Sequence, residues 1–359
     1  QTVQPYGQDF RIFPIDGYGT HELIRSILQK ERPDALWFMT DPRFYGWLWE
    51  IENEVRAVCP MIYYHVWDNF PAPKFNRRFY RSTDEVVCIS KVTHKILQEV
   101  APDVSSHYLP HAVNTNDFKK LNSTDERPAR LREQIYSHAD EDLLNKDKKI
   151  FFWNNRNARR KQPGTLIWWF KDTDAEDPHG QPLPHLIEHL GMHRGQVMLS
   201  TNKVTSEELG TFYNTADFTI NIADAEGFGL GTLESLSCGT PIIVNMTGGL
   251  QEQVTNGADW FGWGIQPSSK SIIGSLQVPY IYEDRISQED FEKCLTKALK
   301  LSKPKYKAMS EAGMKHVKEN YSFENYEKGW VDLMDGFVEK HGSWETRKGY
   351  QRYHLVEVA

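Results

Sequence analysis

Residues 217–244, "DFTINIADAEGFGLGTLESLSCGTPIIV", set an apolar run, a glycine-rich turn, a helical pattern and a second apolar run end to end. Leu230, Leu233 and Leu236 recur at near-helical spacing, Gly239 stops that helix, and the stretch from Pro241 to Val244 is apolar and β-branched. A chain that runs strand, helix, strand with such short connections folds as a βαβ unit on a parallel sheet. Gly227, Gly229 and Gly231 let the backbone come close to a ligand at the helix start, where unpaired N–H groups attract an anion. The turn therefore reads as a seat for phosphate. Glu226 before the helix and Glu234 within it then need another task, because a carboxylate beside a phosphate is repelled unless it accepts hydrogen bonds from hydroxyls. Sugars supply such hydroxyls, so the combination points to a nucleotide sugar. Taken singly, each acid reads as an ordinary polar residue, Glu226 in a solvated loop and Glu234 on an amphipathic helix.

The same alternation runs along the whole chain. Apolar runs at 10–15, 34–39, 60–66, 85–90 and 107–113 are separated by helical patterns near 21–30, 46–55 and 91–100. A second series starts at "KIFFWN" (149–154) and continues through "QVMLST" (196–201), the helix "SEELGTFYNTA" and the segment quoted above. Between the two series, residues 119–149 are rich in charge, with "RPARLREQIYSHADEDLL" a solvated helix. A chain of 359 residues is too long for one ordinary core. The expected divisions are a first α/β domain at 1–118, a charged linker at 119–148, a second α/β domain at 149–320, and a final helix and tail at 321–359. That final helix carries Phe323, Tyr326, Trp330, Leu333, Met334 and Phe337 at intervals of three and four, an apolar stripe that must be buried. Two places break the alternation. The sequence begins without an obvious opening strand and glycine-rich turn, and "GTLIWWFKDTDAEDPHGQPL" holds no convincing strand. Either the fold is trimmed there or segments are absent.

The net charge of −7 offers no excess of Lys and Arg to neutralise a nucleic-acid strand, so nucleic acid is not an expected partner. Cys59, Cys88, Cys238 and Cys294 are widely spaced, with neither a CxxC pair nor zinc-site spacing, and read as buried thiols of a reducing compartment. Apolar runs such as "LIWWF" (166–170) are too short to span a bilayer, and no signal peptide opens the sequence. The expected location is the cytoplasm. The 11 tryptophans leave room for a peripheral membrane contact, although buried tryptophan is the commoner use.

The stretch 226–244 resembles the signature of the retaining glycosyltransferases of family 4, the glycosyl transferases group 1, close to E-G-F-G-L-x-x-L-E-A-x-A-x-G-x-P-V-I. Both glutamates stand in place here. Upstream, the family carries Gly-Arg and then a lysine five residues beyond the arginine. "FFWNNRNARRKQP" puts Arg156 and Lys161 at that spacing, with Asn155 in place of the glycine. "CISKVTHKIL" is similar to the family's serine-led helix, and "YLPHAVNTNDF" to its I-P-N-G-V-D segment, with His111 and Ala112 replacing Asn-Gly. Three such motifs in order are far more specific than one. The resemblance is strongest over 149–255, moderate over 60–120 and faint elsewhere. It implies the α/β GT-B architecture: two facing Rossmann-like domains with parallel sheets, and a C-terminal helix that crosses back to the N-terminal domain.

The resemblance also implies roles. Arg156 and Lys161 would hold the donor diphosphate, where charge develops as the leaving group departs. Glu226 would meet the donor-sugar hydroxyls and Glu234 the ribose. Phe228, Gly229, Leu230, Gly231 and Thr232 would surround the donor, with helix-terminal N–H groups standing in for a metal, so that neither metal nor cofactor is expected. His65, at the carboxyl end of "PMIYYHV", would lie against the donor sugar, or else is packed in the turn "HVWDNF". Asp41 reads as a turn residue before proline, and Arg159 and Arg160 are left to solvent. A rival reading takes Asp172 and Asp174 of "DTD" as the metal ligands of another transferase class, but so short a pattern arises often by chance. The implied activity is metal-independent, retaining hexosyl transfer from a UDP- or GDP-sugar to a hydroxyl of a glycan, lipid or protein. A nucleotide-sugar epimerase of GT-B fold, or a nucleotide-sugar-binding protein without turnover, would share the donor residues.

Overall fold

The computed structural model describes residues 10, 12–140, 148–170, 182–200 and 202–351. Two parallel four-stranded sheets organise the described residues. The first sheet orders β1 (Leu36–Thr40), β2 (Met61–His65), β3 (Glu85–Cys88) and β4 (Ser106–Tyr108). The second orders β5 (Phe151–Phe152), β6 (Phe218–Asn221), β7 (Ile242–Asn245) and β8 (Gly262–Ile265). Strands covered on both faces need near-continuous apolar sequence, and every residue of β2, β3, β6 and β7 is buried. Side chains alternate between the faces: Met61 and Tyr63 enter one core, with Val55 and Leu97, whereas Ile62 and Tyr64 enter another, with Phe228 and Phe337. Connecting helices start where the chain supplies a cap. Ser90 and Thr93 form a capping box for the helix Lys91–Val100, and Thr205 and Glu208 another for the helix Ser206–Thr215. This is the GT-B architecture, α/β with two Rossmann-like domains.

The last helix, Phe323–His341, crosses back onto the first sheet. Trp330 meets Trp37 and Tyr64 edge-on at ring-centroid distances of 5.9 and 5.1 Å. Gly329 lets the helix backbone lie against Leu109, since a Cβ there would sit 2.6 Å from its Cδ1. From the last turn, Lys340 Nζ donates to Glu85 Oε1 at 2.6 Å, and beyond it Arg347 Nη2 donates to Asp84 Oδ1 at 2.7 Å.

A second connection was not foreseen. After β8 the chain makes an antiparallel hairpin of β9 (Ser269–Ile273) and β10 (Ile281–Arg285). It reaches the first half: Tyr282 N donates to Phe70 O at 2.6 Å, Asn69 Nδ2 donates to Tyr282 O at 3.2 Å, and Val278 is buried in the first-half core. The signal lies in "SKSII" and "YIYED" on either side of a short segment containing Gly and Pro.

Several expected strands are shorter or missing. Residues 13–15 and 196–200 form none. Ile15, Met198 and Leu199 are 47, 40 and 43% exposed, so these apolar runs found no covered sheet edge to join. The run "KIFFWN" yields only the two residues of β5. Asp172 and Asp174 lie outside the described residues. Cys59, Cys88, Cys238 and Cys294 are buried free thiols. Among the described residues, no helix is long and apolar enough to cross a membrane.

Candidate active site

The turn after β6 is shaped by its glycines. Gly229, at φ 92°, takes a left-handed conformation that a side chain would strain, and from it the helix Leu230–Ser237 starts directly. Gly248, on the neighbouring turn, is packed so closely that a Cβ would lie 1.8 Å from the Glu226 carbonyl oxygen. Gln253 Nε2 donates to Phe228 O at 2.6 Å, and the Thr232 hydroxyl lies between Gly229 O and Gln253 Oε1. The turn is thereby held rigidly in front of a cavity of about 200 Å³, lined by Asn154, Asn155, Lys161, Asn221, Glu226 and the helix start Gly229–Thr232, among others.

Lys161 closes the short turn Arg159–Lys161, and its side chain is only 8% exposed. Its ammonium is paired with Glu226, whose Oε2 also lies 3.4 Å from Asn221 Nδ2. Burial pulls the lysine below its ordinary pKa, and the Glu226 carboxylate works against that fall. A buried cation at the mouth of a helix start makes this cavity attractive to an anion. Glu234 lies one helical turn further on, half-buried and outside the lining. Tyr213 OH donates to its Oε2 at 2.8 Å, and Asn154 Nδ2 donates to that hydroxyl at 3.0 Å, so a polar relay joins Glu234 to the cavity wall. Burial raises the Glu234 carboxyl, and the tyrosine bond partly offsets this.

Residues 138–316, which contain all of these groups, match the family described as Glycosyl transferases group 1. Over that stretch, 179 of its 359 residues, the chain is similar to the glycosyl transferases group 1. A curated relative, D-inositol 3-phosphate glycosyltransferase from Paenarthrobacter aurescens (strain TC1), is 33% identical over 75 residues, 21% of this chain and 18% of that one. The chain spans only 18, 39 and 27% of the length of three curated relatives it matches. Sucrose-phosphate synthase from Thermosynechococcus elongatus superimposes with a TM-score of 0.67 at 16% identity, covering 89% of this chain and 77% of that one. Anabaena Alr3699/HepE, solved in complex with UDP-glucose, gives 0.63 at 14% identity, covering 88 and 82%. These two likenesses speak for the fold.

The matched region brings Glu226, Lys161, Gly229, Leu230, Gly231 and Thr232 together around one cavity. Arg156 stands exposed on the same loop as Lys161 and outside the lining. Two expectations need correction. His65 does not face the cavity: it is fully buried, with Nε2 2.9 Å from Tyr80 OH and Nδ1 3.7 Å from Cys88 Sγ, and burial drops its pKa to about 3. The Phe228 ring turns away from the cavity into the core, edge-on to His111 at 5.1 Å and at 5.9 Å from Tyr321. Arg159 and Arg160 are likewise not idle in solvent. Arg159 makes two hydrogen bonds, of 3.0 and 3.3 Å, to the buried Glu283 of the hairpin, and Arg160 donates to Ala225 O. Asp41 is a turn residue, accepting from Arg43 N at 3.0 Å. Sequence reasoning missed Asn154, Asn155 and Asn221 in the lining, and Asp68 beside it. Their polar character within otherwise apolar runs and strand ends was the available signal.

Proposed function

We propose that the chain is a retaining, metal-independent glycosyltransferase that moves a hexose from a UDP- or GDP-sugar to a hydroxyl of a glycan, lipid or protein acceptor. The observation that carries this reading is the buried Lys161–Glu226 pair, set at a glycine-rich helix start inside the matched region. The donor would sit mainly on 149–320, and the acceptor would approach from 1–118. On donor binding, the diphosphate takes Lys161 from Glu226, with Arg156 approaching from the exposed loop. Glu226 is thereby freed to accept hydroxyls of the sugar. No side chain serves as covalent nucleophile in this reading. The departing phosphate oxygen takes the acceptor proton on the face it leaves, while the lysine and the helix N–H groups stabilise its charge. The complex of Alr3699/HepE with UDP-glucose is consistent with such a donor. Four buried free thiols agree with work in the cytoplasm.

The test is a thermal-shift panel of UDP-, GDP- and ADP-sugars, because a ligand that binds only the folded chain raises its melting temperature. Proton NMR of the products formed from the best donor follows, before and after dialysis against EDTA. Transfer or hydrolysis with the anomeric configuration kept, insensitive to EDTA, is expected. An epimerised nucleotide sugar, an inverted anomer, or activity that returns only with added metal would each replace this reading.

Glu234→Ala is expected to weaken nucleoside diphosphate binding by roughly tenfold or more, since hydrogen bonds to a charged group are worth about 1.5–3 kcal/mol. Calorimetric titration of UDP and GDP into both proteins measures it, and equal affinities would remove Glu234 from the ribose.

A further inference from the structure

The loop 66–71 at the end of β2 belongs to the first half of the chain, yet its position is set by the second. Trp67 is buried and donates through Nε1 to Asn69 O at 2.9 Å; Asn69 and Phe70 are each hydrogen-bonded to Tyr282 of the hairpin. Asp68, between them, is thereby laid against the glycine that follows Glu226. A Cβ on Gly227 would lie 3.5 Å from Asp68 Oδ2 and 3.4 Å from Val66 O. Burial pushes the Asp68 carboxyl up to about 6, the charge of Glu226 adds to this, and Arg160 and Lys161 oppose it. The same four groups therefore share one field. Among the described residues no other side chain hydrogen-bonds to Asp68, whereas the nearby cation Lys161 is already engaged by Glu226. An ionised carboxylate is an acceptor only, and this half-buried one, held by a backbone hydrogen bond and by no side-chain donor, has lone pairs left for a ligand's hydroxyl.

We infer that Asp68 is a donor-sugar recognition residue, accepting a hydroxyl of the hexose from the side opposite Glu226 and restricting the site to neutral sugars with free hydroxyls there. The inference rests on the donor-site reading above. Once a diphosphate occupies Lys161, Glu226 and Asp68 stand on either side of Gly227 with that lysine no longer neutralising Glu226. Two carboxylates so placed repel each other unless each accepts a proton donor. Neighbouring hydroxyls of a neutral hexose satisfy both. A uronic acid, bringing a third carboxylate, would be rejected.

The experiment is calorimetric titration of UDP, UDP-glucose, UDP-glucuronate, GDP and GDP-mannose into the wild-type chain and into Asp68→Asn, with Asp68→Ser as a second variant should the first not fold. In the variant, the ratio of the nucleotide-sugar Kd to that of its own nucleoside diphosphate is expected to rise about tenfold for UDP-glucose or GDP-mannose, the loss of one hydrogen bond to a charged group. The wild-type preference for UDP-glucose over UDP-glucuronate should shrink. An unchanged ratio, with sugar nucleotide and diphosphate both strengthened alike, would mean that Asp68 acts only by repelling phosphate, and overturns the inference alone. A wild-type chain that binds none of the five nucleotides overturns the donor-site reading, and the inference with it.

Discussion

Lys161→Ala is expected to lower turnover by about two or more orders of magnitude, the usual cost of removing one preorganised charge from a leaving group. Lys161 is the buried cation of the cavity lining, and burial makes its charge more effective than an exposed one would be. The loss would appear in the rate of nucleotide release at saturating donor. A complication is built into the pair, because removing Lys161 leaves Glu226 without its main partner. The double variant Lys161→Ala with Glu226→Gln separates the two effects. If the loss came from a displaced Glu226, the double variant would recover much of it, whereas a lost phosphate contact leaves it as slow. Arg156→Ala should be similarly damaged only if Arg156 swings in from its exposed loop when the donor arrives. Arg159→Ala is the control. Its partner Glu283 keeps Arg285, whose Nη2 lies 2.5 Å from Glu283 Oε2, so turnover should stay within about threefold. Damage at 159 equal to that at 161 would shift the phosphate contacts along "NNRNARRK".

Asp84→Ala is expected to destabilise the chain by about 3–5 kcal/mol, the range for breaking a buried ion pair from one side. Asp84 is 5% exposed in its side chain and accepts from Arg347, 7% exposed, and from Arg56, 14% exposed. It also accepts from Met61 N at 2.8 Å. The alanine variant would leave the Met61 N–H and the Arg347 guanidinium without their carboxylate, and Arg56 with Glu52 as its remaining carboxylate. In a protein of this size a loss of that order lowers the melting temperature by roughly 5 °C. Differential scanning fluorimetry compares it with Arg130→Ala, which removes an exposed pair with Glu126 and should shift melting by about 1 °C or less. Equal shifts in the two variants would show that the buried cluster does not hold the tail in place.

The parallel-sheet architecture was legible because strands buried on both faces must be written in continuous apolar residues, as "PMIYYHV" and "PIIV" are. The burial of the last helix was legible for a related reason, since a stripe containing Trp330 and Phe337 is too apolar to be left in water, whereas its crossing to the first sheet was implied by the family resemblance. Orientation was harder to read. His65 shares strand parity with Met61 and Tyr63, so it points into the same core as they do; a shift of one position would have turned it to the other face. Phe228 sits in a turn whose glycines permit either direction for its ring, and only packing against His111 and Tyr321 decides between them. The hairpin and Asp68 depend on contacts between segments more than 200 residues apart, such as Asn69 with Tyr282, which no local periodicity encodes.

The return of the helix Phe323–His341 to the first sheet has a consequence for synthesis. On a ribosome the amino-terminal half emerges first and would ordinarily fold as a unit. Here one face of its sheet, with Ile62, Tyr64 and Val87, is completed only by residues made long afterwards, among them Phe337 and Trp330. Asp84 and Glu85 likewise wait for Arg347, Lys340 and His341. The nascent half is therefore committed to a delay in which apolar surface is uncovered and Asp84 and Glu85 hold only part of their partners. A chain interrupted before residue 323 would leave the ribosome with that surface still open, a substrate for chaperones rather than a smaller stable protein.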